Sequence, residues 1–151
     1  MKFTSTISLL ALCCAITSTA SIAATTPLTA EKVWQVARPS GLTVSPDGQR
    51  AIFSLTKFDL KSDKGNADLQ LLELGSGKMT ALTSHPDNDT QPAWSPDGRQ
   101  VAFISKRGAD QNQLMLMNVY GGEARALTNL PVAVTAPTWF NDGKKILFVA
   151  Y

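Results

Sequence analysis

The chain has 151 residues, in which 14 Lys and Arg face 12 Asp and Glu for a formal charge of +2. No stretch concentrates one sign strongly, which argues against nucleic acid and anionic membrane surfaces as partners. The two cysteines are Cys13 and Cys14, so any disulfide or thiolate chemistry depends on what becomes of the first two dozen residues.

Those residues read as a targeting segment. Lys2 supplies one positive charge, an apolar run extends from Ile7 to Ile16, and small residues lead to Ser21-Ile22-Ala23-Ala24. This order predicts a secretory signal peptide over 1–24, cleaved after Ala23 or Ala24. An apolar run of about ten residues is half of the roughly twenty needed to span a bilayer. A lipoprotein signal would want a small residue where Leu12 precedes Cys13. Cleavage removes both cysteines, so the mature chain is expected to have no disulfide and no thiolate site. It is also expected to be secreted, with a periplasm as the destination and no membrane association. About 127 residues remain, enough for one domain core.

Residues 25–41 read as a short helix and lead-in. Thr29 is positioned as a cap with Glu31 in the first turn, and Val33, Trp34 and Val36 share one side that would pack as a lid on the segment beginning at residue 42.

From residue 42 onward the chain repeats. Ser45-Pro46-Asp47-Gly48 recurs as Ser95-Pro96-Asp97-Gly98 and as Phe140-Asn141-Asp142-Gly143, at steps of 50 and 45 residues. Behind each glycine stands an apolar strand: Ala51-Ile52-Phe53, Val101-Ala102-Phe103 and Ile146-Leu147-Phe148. Ahead of the second and third turns stand Pro92-Ala93-Trp94 and Pro137-Thr138-Trp139, with Val44 at the tryptophan position in the first copy. Further on, Leu69–Leu74 matches Leu114–Val119, glycines come after each, and the units end in Ala81-Leu82-Thr83 and Ala126-Leu127-Thr128. Proline presets φ at the turn's first corner, aspartate bonds the backbone, and glycine accepts the positive φ that reverses the chain. Each unit therefore predicts four short antiparallel strands, with the difference in step absorbed by a middle loop that is longer at 58–68 than at 107–112. Four strands at a 45-to-50-residue period describe a propeller blade. The expected fold is an all-β, partial β-propeller of about two and a half blades, divided near 42–90, 91–136 and a truncated 137–151. Sheets over 42–83 and 91–128 should pack face to face and bury Trp94, Phe53 and Phe103.

No residue is assigned a catalytic, cofactor-binding or metal-ligating role, and no cofactor is expected. There is no Gly-x-Ser-x-Gly elbow to present a serine nucleophile. His85 is the one histidine, in the loop Ser84–Thr90, too few for a two-histidine metal site and without a pattern that marks a general base. Asp87 and Asp89 lack the glycine-pinned loop and the six to eight oxygens that calcium takes. Asp47, Asp97 and Asp142 read as turn residues. Trp94, Trp139, Phe53, Phe103 and Phe148 read as core, as do Met115 and Met117 at strand spacing. Asn88-Asp89-Thr90 matches a glycosylation triplet, which carries little weight.

The succession Val44–Gly48, Asn66–Leu69, Leu82–His85, Pro92–Gly98, Val101–Arg107 and Gly121–Arg125 resembles the start of secreted bacterial serine peptidases of the prolyl oligopeptidase family, in their acylaminoacyl-peptidase or dipeptidyl-aminopeptidase-like branch. The resemblance covers essentially the whole mature chain. It implies a propeller joined to an α/β-hydrolase domain that carries the triad, the propeller admitting short peptides and excluding folded proteins. No triad residue maps onto this chain, which reaches only the third blade's second strand at Tyr151. On this reading the activity belongs to a longer parent, and the partners are its hydrolase domain and short peptides. The alternative is a non-enzymatic binding propeller like that of the Tol envelope system. That protein sets an α/β domain ahead of its propeller, and the first blade here begins too early to leave room for one.

Overall fold

The repeated turn closes on hydrogen bonds that its own residues dictate. In the computed structural model, which describes Thr29, Lys32, Val33 and residues 36–151, Gly48 N–H donates to Ser45 O at 2.9 Å and Ser45 N–H to Arg50 O at 2.8 Å. The Ser45 hydroxyl accepts from Arg50 N–H at 2.9 Å and donates to Asp47, whose Oδ1 accepts Gln49 N–H at 3.0 Å. Ser95, Asp97 and Gln100 repeat the set. In the third turn Phe140 has no hydroxyl to offer, and only the backbone pair and the bond from Lys144 N–H to Asp142 remain. Gly48, Gly98 and Gly143 adopt φ of +70°, +67° and +66°, a region that costs other residues about 1–2 kcal/mol.

These turns join the first two strands of three antiparallel sheets. The first sheet runs β1 (Arg38–Val44), β2 (Arg50–Asp59), β3 (Lys64–Glu73), β4 (Met79–Ala81); the second β5 (Asp89–Trp94), β6 (Gln100–Ser105), β7 (Gln113–Asn118), β8 (Arg125–Ala126). The third has two strands, β9 (Val134–Trp139) and β10 (Ile146–Ala150). In every sheet, spatial order follows chain order.

The alternation of each strand divides the core into two layers. Ile52 and Leu69 of the first sheet meet Trp94, Val101, Phe103, Met115 and Met117 of the second. On the other side of the second sheet, Ala102, Ile104, Leu114 and Leu116 meet Val134, Trp139, Ile146 and Phe148. Covered on both faces, β7 is buried from Gln113 to Met117, and the full burial of Phe103 or Ile52 is worth roughly 1.5–3 kcal/mol. β1 lies against β5 and β5 against β9, whereas β4 and β8 do not touch each other. The sheets therefore converge at their first strands and fan apart toward their fourth, the radial layout of propeller blades.

Several expectations need correction. Phe53 is half-buried rather than core, because it points to the face of the first sheet away from the second, while its neighbour Ile52 takes the inward side. The predicted long middle loop is largely strand. Phe58 pairs with Gly65 and Asp59 with Lys64, so β2 and β3 have ten residues each against six in β6 and β7. A Cβ on Gly65 would come within 2.9 Å of the Phe58 ring, so glycine is what lets that ring cover the strand. β1 begins at Arg38, ahead of residue 42, since Arg38–Ser40 pair with Thr56–Ser54.

In the lead-in, Lys32 N–H donates to Thr29 Oγ1 at 3.3 Å, as a capping threonine should, and Val33 N–H to Thr29 O at 3.1 Å. Val33 and Val36 are exposed and cover no sheet. Trp34 and the signal segment 1–24 lie outside the described residues.

Candidate functional site

Each first strand carries a bulge at the same place, three residues before the Val44/Trp94/Trp139 position. Gly41, Gln91 and Ala136 take φ of +63°, +53° and +54° there, and the β1–β2 and β5–β6 registers slip between Ser40 and Thr43 and between Thr90 and Ala93. A bulge re-aims the residues after it. Two consequences tie neighbouring sheets together. Trp94 Nε1 donates to Thr43 O at 3.3 Å and Trp139 Nε1 to Ala93 O at 3.1 Å. Gln91 Oε1 accepts both Ala136 N–H at 2.7 Å and the Thr135 hydroxyl at 2.9 Å. Along the ends of the three first strands runs an open groove of about 580 Å³, bordered by Val44, Pro46, Trp94, Pro96, Trp139 and Asn141, none of them charged.

A second concavity, about 430 Å³, lies between the first two sheets, against Leu82, Thr83, His85, Arg107, Met117 and Glu123. Thr83, His85, Arg107 and Glu123 give it polar groups, and Thr83 makes a contact that recurs at Thr128 in the second sheet. Thr83 Oγ1 accepts Leu69 N–H at 2.9 Å and its hydroxyl points to Asp68; Thr128 Oγ1 accepts Leu114 N–H at 2.9 Å and donates to Gln113 Oε1 at 2.7 Å. The recurrent Leu-Thr thus bonds the third strand of both four-stranded sheets. Asn66 donates to His85 O at 2.8 Å, and Asn88 Oδ1 accepts Ala67 N–H at 2.9 Å. Asp89 is fully buried and held by Arg107 through Nε at 3.2 Å and a close Nη2 contact. Burial, then the charge of Asp89, push the Asp68 carboxyl above the usual range.

The residues weighed as candidates are thus accounted for. His85 Nδ1 accepts Asp87 N–H at 3.1 Å and stands 3.6 Å from the Asp87 carboxylate. Asp89 faces Arg107 rather than Asp87, so the two acids do not converge. Asp47 and Asp97 are turn ligands, held below the ordinary carboxylate range by Ser45 and Ser95 first and by the Gln49 and Arg99 amides next. Among the described residues no group of three or more His, Cys, Asp or Glu is placed to hold a metal ion. What the arrangement offers is binding surface, an uncharged groove and a polar cleft.

Three features escaped sequence reasoning. The Asp89–Arg107 pair spans a strand and a hairpin, with no local spacing to reveal it. Arg50 lies 5.1 Å from the Trp94 ring and 5.4 Å from the Tyr120 ring and bonds Gly98 O at 3.3 Å, clamping one turn to the next. The bulge residues share an offset from the tryptophan position, a signal present in the repeat but masked by their different identities.

Radially converging four-stranded sheets, stapled at their first strands, define a β-propeller. The chain belongs to the TolB beta propeller domain family, whose model matches residues 25–151. It is 32% identical over 81 residues to a dipeptidyl-peptidase 5 of Porphyromonas gingivalis, covering 54% of this chain and 12% of that one. It is 36% identical over 87 residues to the uncharacterized peptidase YuxL of Bacillus subtilis, covering 58% of this chain and 13% of the relative. The acylaminoacyl peptidase structure of Pyrococcus horikoshii aligns with 78% of this chain and 18% of its own, at a TM-score of 0.64 and 19% identity, a likeness of fold. The chain thus spans about an eighth of the length of the peptidase relatives it matches.

Proposed function

We propose that this chain is the N-terminal propeller portion of a secreted serine-type peptidase that hydrolyses short peptides, with the propeller restricting what reaches a separate α/β-hydrolase domain. The observation that carries the proposal is the match of 54% and 58% of this chain to two proteins named as peptidases, at 32% and 36% identity. On this reading the inner edges of the blades, once the parent completes the ring, would border a passage that admits an extended chain and excludes a folded one. On this reading catalysis belongs to the α/β-hydrolase domain of the parent. The signal segment 1–24 directs the product to the periplasm, and the mature chain starts at Ala24 or Thr25. The blade units expected at 42–90, 91–136 and 137–151 shift to the strand boundaries, β1 opening the first at Arg38, β5 the second at Asp89 and β9 the third at Val134.

Two experiments test this. Sequencing downstream of residue 151 should find a continuing frame with more blades and a Gly-x-Ser-x-Gly elbow; a frame without the elbow rejects the peptidase reading and favours a Tol-like binding propeller, which the family's own description supports. Fluorogenic dipeptide and acyl-peptide substrates should be turned over by the full-length product and blocked by a serine-directed inhibitor, and not by the 151-residue chain. Inhibitor-sensitive turnover that co-purifies with this chain alone rejects the division of labour.

A further inference from the structure

Asp-Gly occurs three times in this chain, each time in the turn between the first two strands of a sheet. Asp47, Asp97 and Asp142 are all exposed to solvent. The turns also share their backbone closure, since Gly48, Gly98 and Gly143 N–H donate to Ser45, Ser95 and Phe140 O at 2.9, 2.9 and 3.0 Å. They differ in what holds the carboxylate. Asp47 accepts from the Ser45 hydroxyl, Gln49 N–H and Arg50 Nη2. Asp97 accepts from the Ser95 hydroxyl at 2.6 Å and Arg99 N–H at 3.1 Å. Asp142 keeps one bond, from Lys144 N–H at 2.9 Å, because Phe140 occupies the serine's repeat position.

We infer that Asp142-Gly143 is a modification site, at which the aspartate isomerises to isoaspartate through a cyclic imide while Asp47 and Asp97 are protected. The Gly143 amide nitrogen attacks Asp142 Cγ; the N–Cγ bond forms, and the amide proton leaves with the carboxyl hydroxyl as water. Water then opens the imide. Opening at the former side-chain carbonyl restores aspartate. Opening at the backbone carbonyl breaks its bond to the Gly143 nitrogen and leaves the chain routed through Cγ, with no net change of atoms and one more carbon in the backbone of the β9–β10 turn. Glycine permits the attack because no side chain screens its nitrogen. The carboxyl must swing toward that nitrogen and carry a proton to lose water. A serine hydroxyl opposes both: it ties the carboxylate to the residue two before it, not the one after, and favours the ionised form.

Prolonged incubation of the 151-residue chain in warm neutral buffer tests this, with isoaspartate located by peptide mapping and electron-transfer fragmentation. Isoaspartate should accumulate at 142 about fivefold faster than at 47 or 97, the factor that one hydrogen bond of ordinary net strength supplies. Phe140→Ser restores the hydroxyl and should slow position 142 to the rate of 97. Ser95→Ala removes it and should raise 97 toward the rate of 142, leaving 47 unchanged. In concentrated urea the three rates should converge, because the protection comes from the folded turn. If Phe140→Ser loses its strand signal in circular dichroism, Ser95→Ala, placed between two strands of a four-stranded sheet, decides alone. Equal rates at the three turns of the folded chain overturn the inference. So does a Ser95→Ala chain in which 97 stays as slow as before, or a difference between the turns that persists in urea.

Discussion

The indole nitrogen of Trp94 lies 3.3 Å from the carbonyl oxygen of Thr43, so a core side chain of one sheet bonds the first strand of the sheet before it. The contact joins packing to register: the ring is 7% exposed, and its one donor has found the backbone carbonyl that fixes how the two first strands sit. Trp94→Phe keeps most of the burial and loses the bond. It should cost about 1–2 kcal/mol in chemical denaturation, and Trp94→Ala about 3–5 kcal/mol. Equal costs for the two would show that the bond, not the volume, dominates.

The Asp89–Arg107 pair yields a prediction with opposite signs. Arg107→Ala strands a fully buried carboxylate and should cost about 3–5 kcal/mol. In the third sheet the position of Asp89 is occupied by Val134, 1% exposed and packed in the core. The double change Asp89→Val with Arg107→Leu should therefore be far milder than Arg107→Ala alone, from neutral to stabilising. Thermal melts of both variants and the parent decide it.

Much of this architecture was legible because turn chemistry is local. The Ser-Pro-Asp-Gly residues make their own hydrogen bonds, and the three apolar residues behind each glycine enter a strand by alternation alone. The first strands were harder to delimit, since the bulges at Gly41, Gln91 and Ala136 break that alternation. The length of β2 and β3 was hidden because Phe58 and Gly65 pair across a hairpin that reads as loop composition. Phe53 shows the limit most plainly: the repeat equates it with Phe103, yet among the described residues only Phe103 faces a neighbouring sheet. The candidate binding surfaces depend on side chains from different blades meeting, which no local pattern encodes.

Asp68 and Gln113 hold the same post, each accepting from the threonine that caps its strand. Only the first is ionisable, and its carboxyl is raised by burial and by Asp89. A raised acid stabilises the fold when protonated and loses that contribution as pH rises through its folded value. Asp68→Gln should then be more stable than the parent at neutral pH, by no more than about 0.5 kcal/mol because the site is partly solvated. The advantage should vanish in melts at acidic pH. A variant less stable at pH 7 would mean the carboxylate is favoured where it stands.

Ser95 is 3% exposed and its hydroxyl satisfies both Gln100 N–H and Asp97. Ser95→Ala should cost about 1 kcal/mol and let the Asp97 carboxyl rise toward its ordinary value, which carboxyl chemical shifts followed by NMR would report. Because the folded Asp97 is depressed, its share of stability is present above the unfolded value and lost as pH falls through the folded one. The difference between variant and parent should thus shrink in acid.

The bulge positions set three residue types against one backbone requirement. At Gly41 the φ of +63° suits glycine, and a Cβ would come within 3.3 Å of Pro92 Cδ. Ala136 adopts +54° while its N–H is held by Gln91 Oε1 at 2.7 Å. A left-handed conformation costs a residue with a Cβ about 1–2 kcal/mol, so Gly41→Ala should destabilise by at least that much. Ala136→Gly removes the strain without touching the hydrogen bond, and gains less because glycine also loosens the unfolded chain. It should stabilise by up to about 1 kcal/mol. Gln91→Ala keeps the strain and deletes the acceptor that holds the third sheet's bulge, and should lower stability by about 1 kcal/mol. Urea titrations of the three variants rank them Ala136→Gly above parent, then Gln91→Ala, then Gly41→Ala. If Ala136→Gly instead fell below the parent, the positive φ would be a relaxed consequence of the bulge rather than a strain imposed by the contact between sheets.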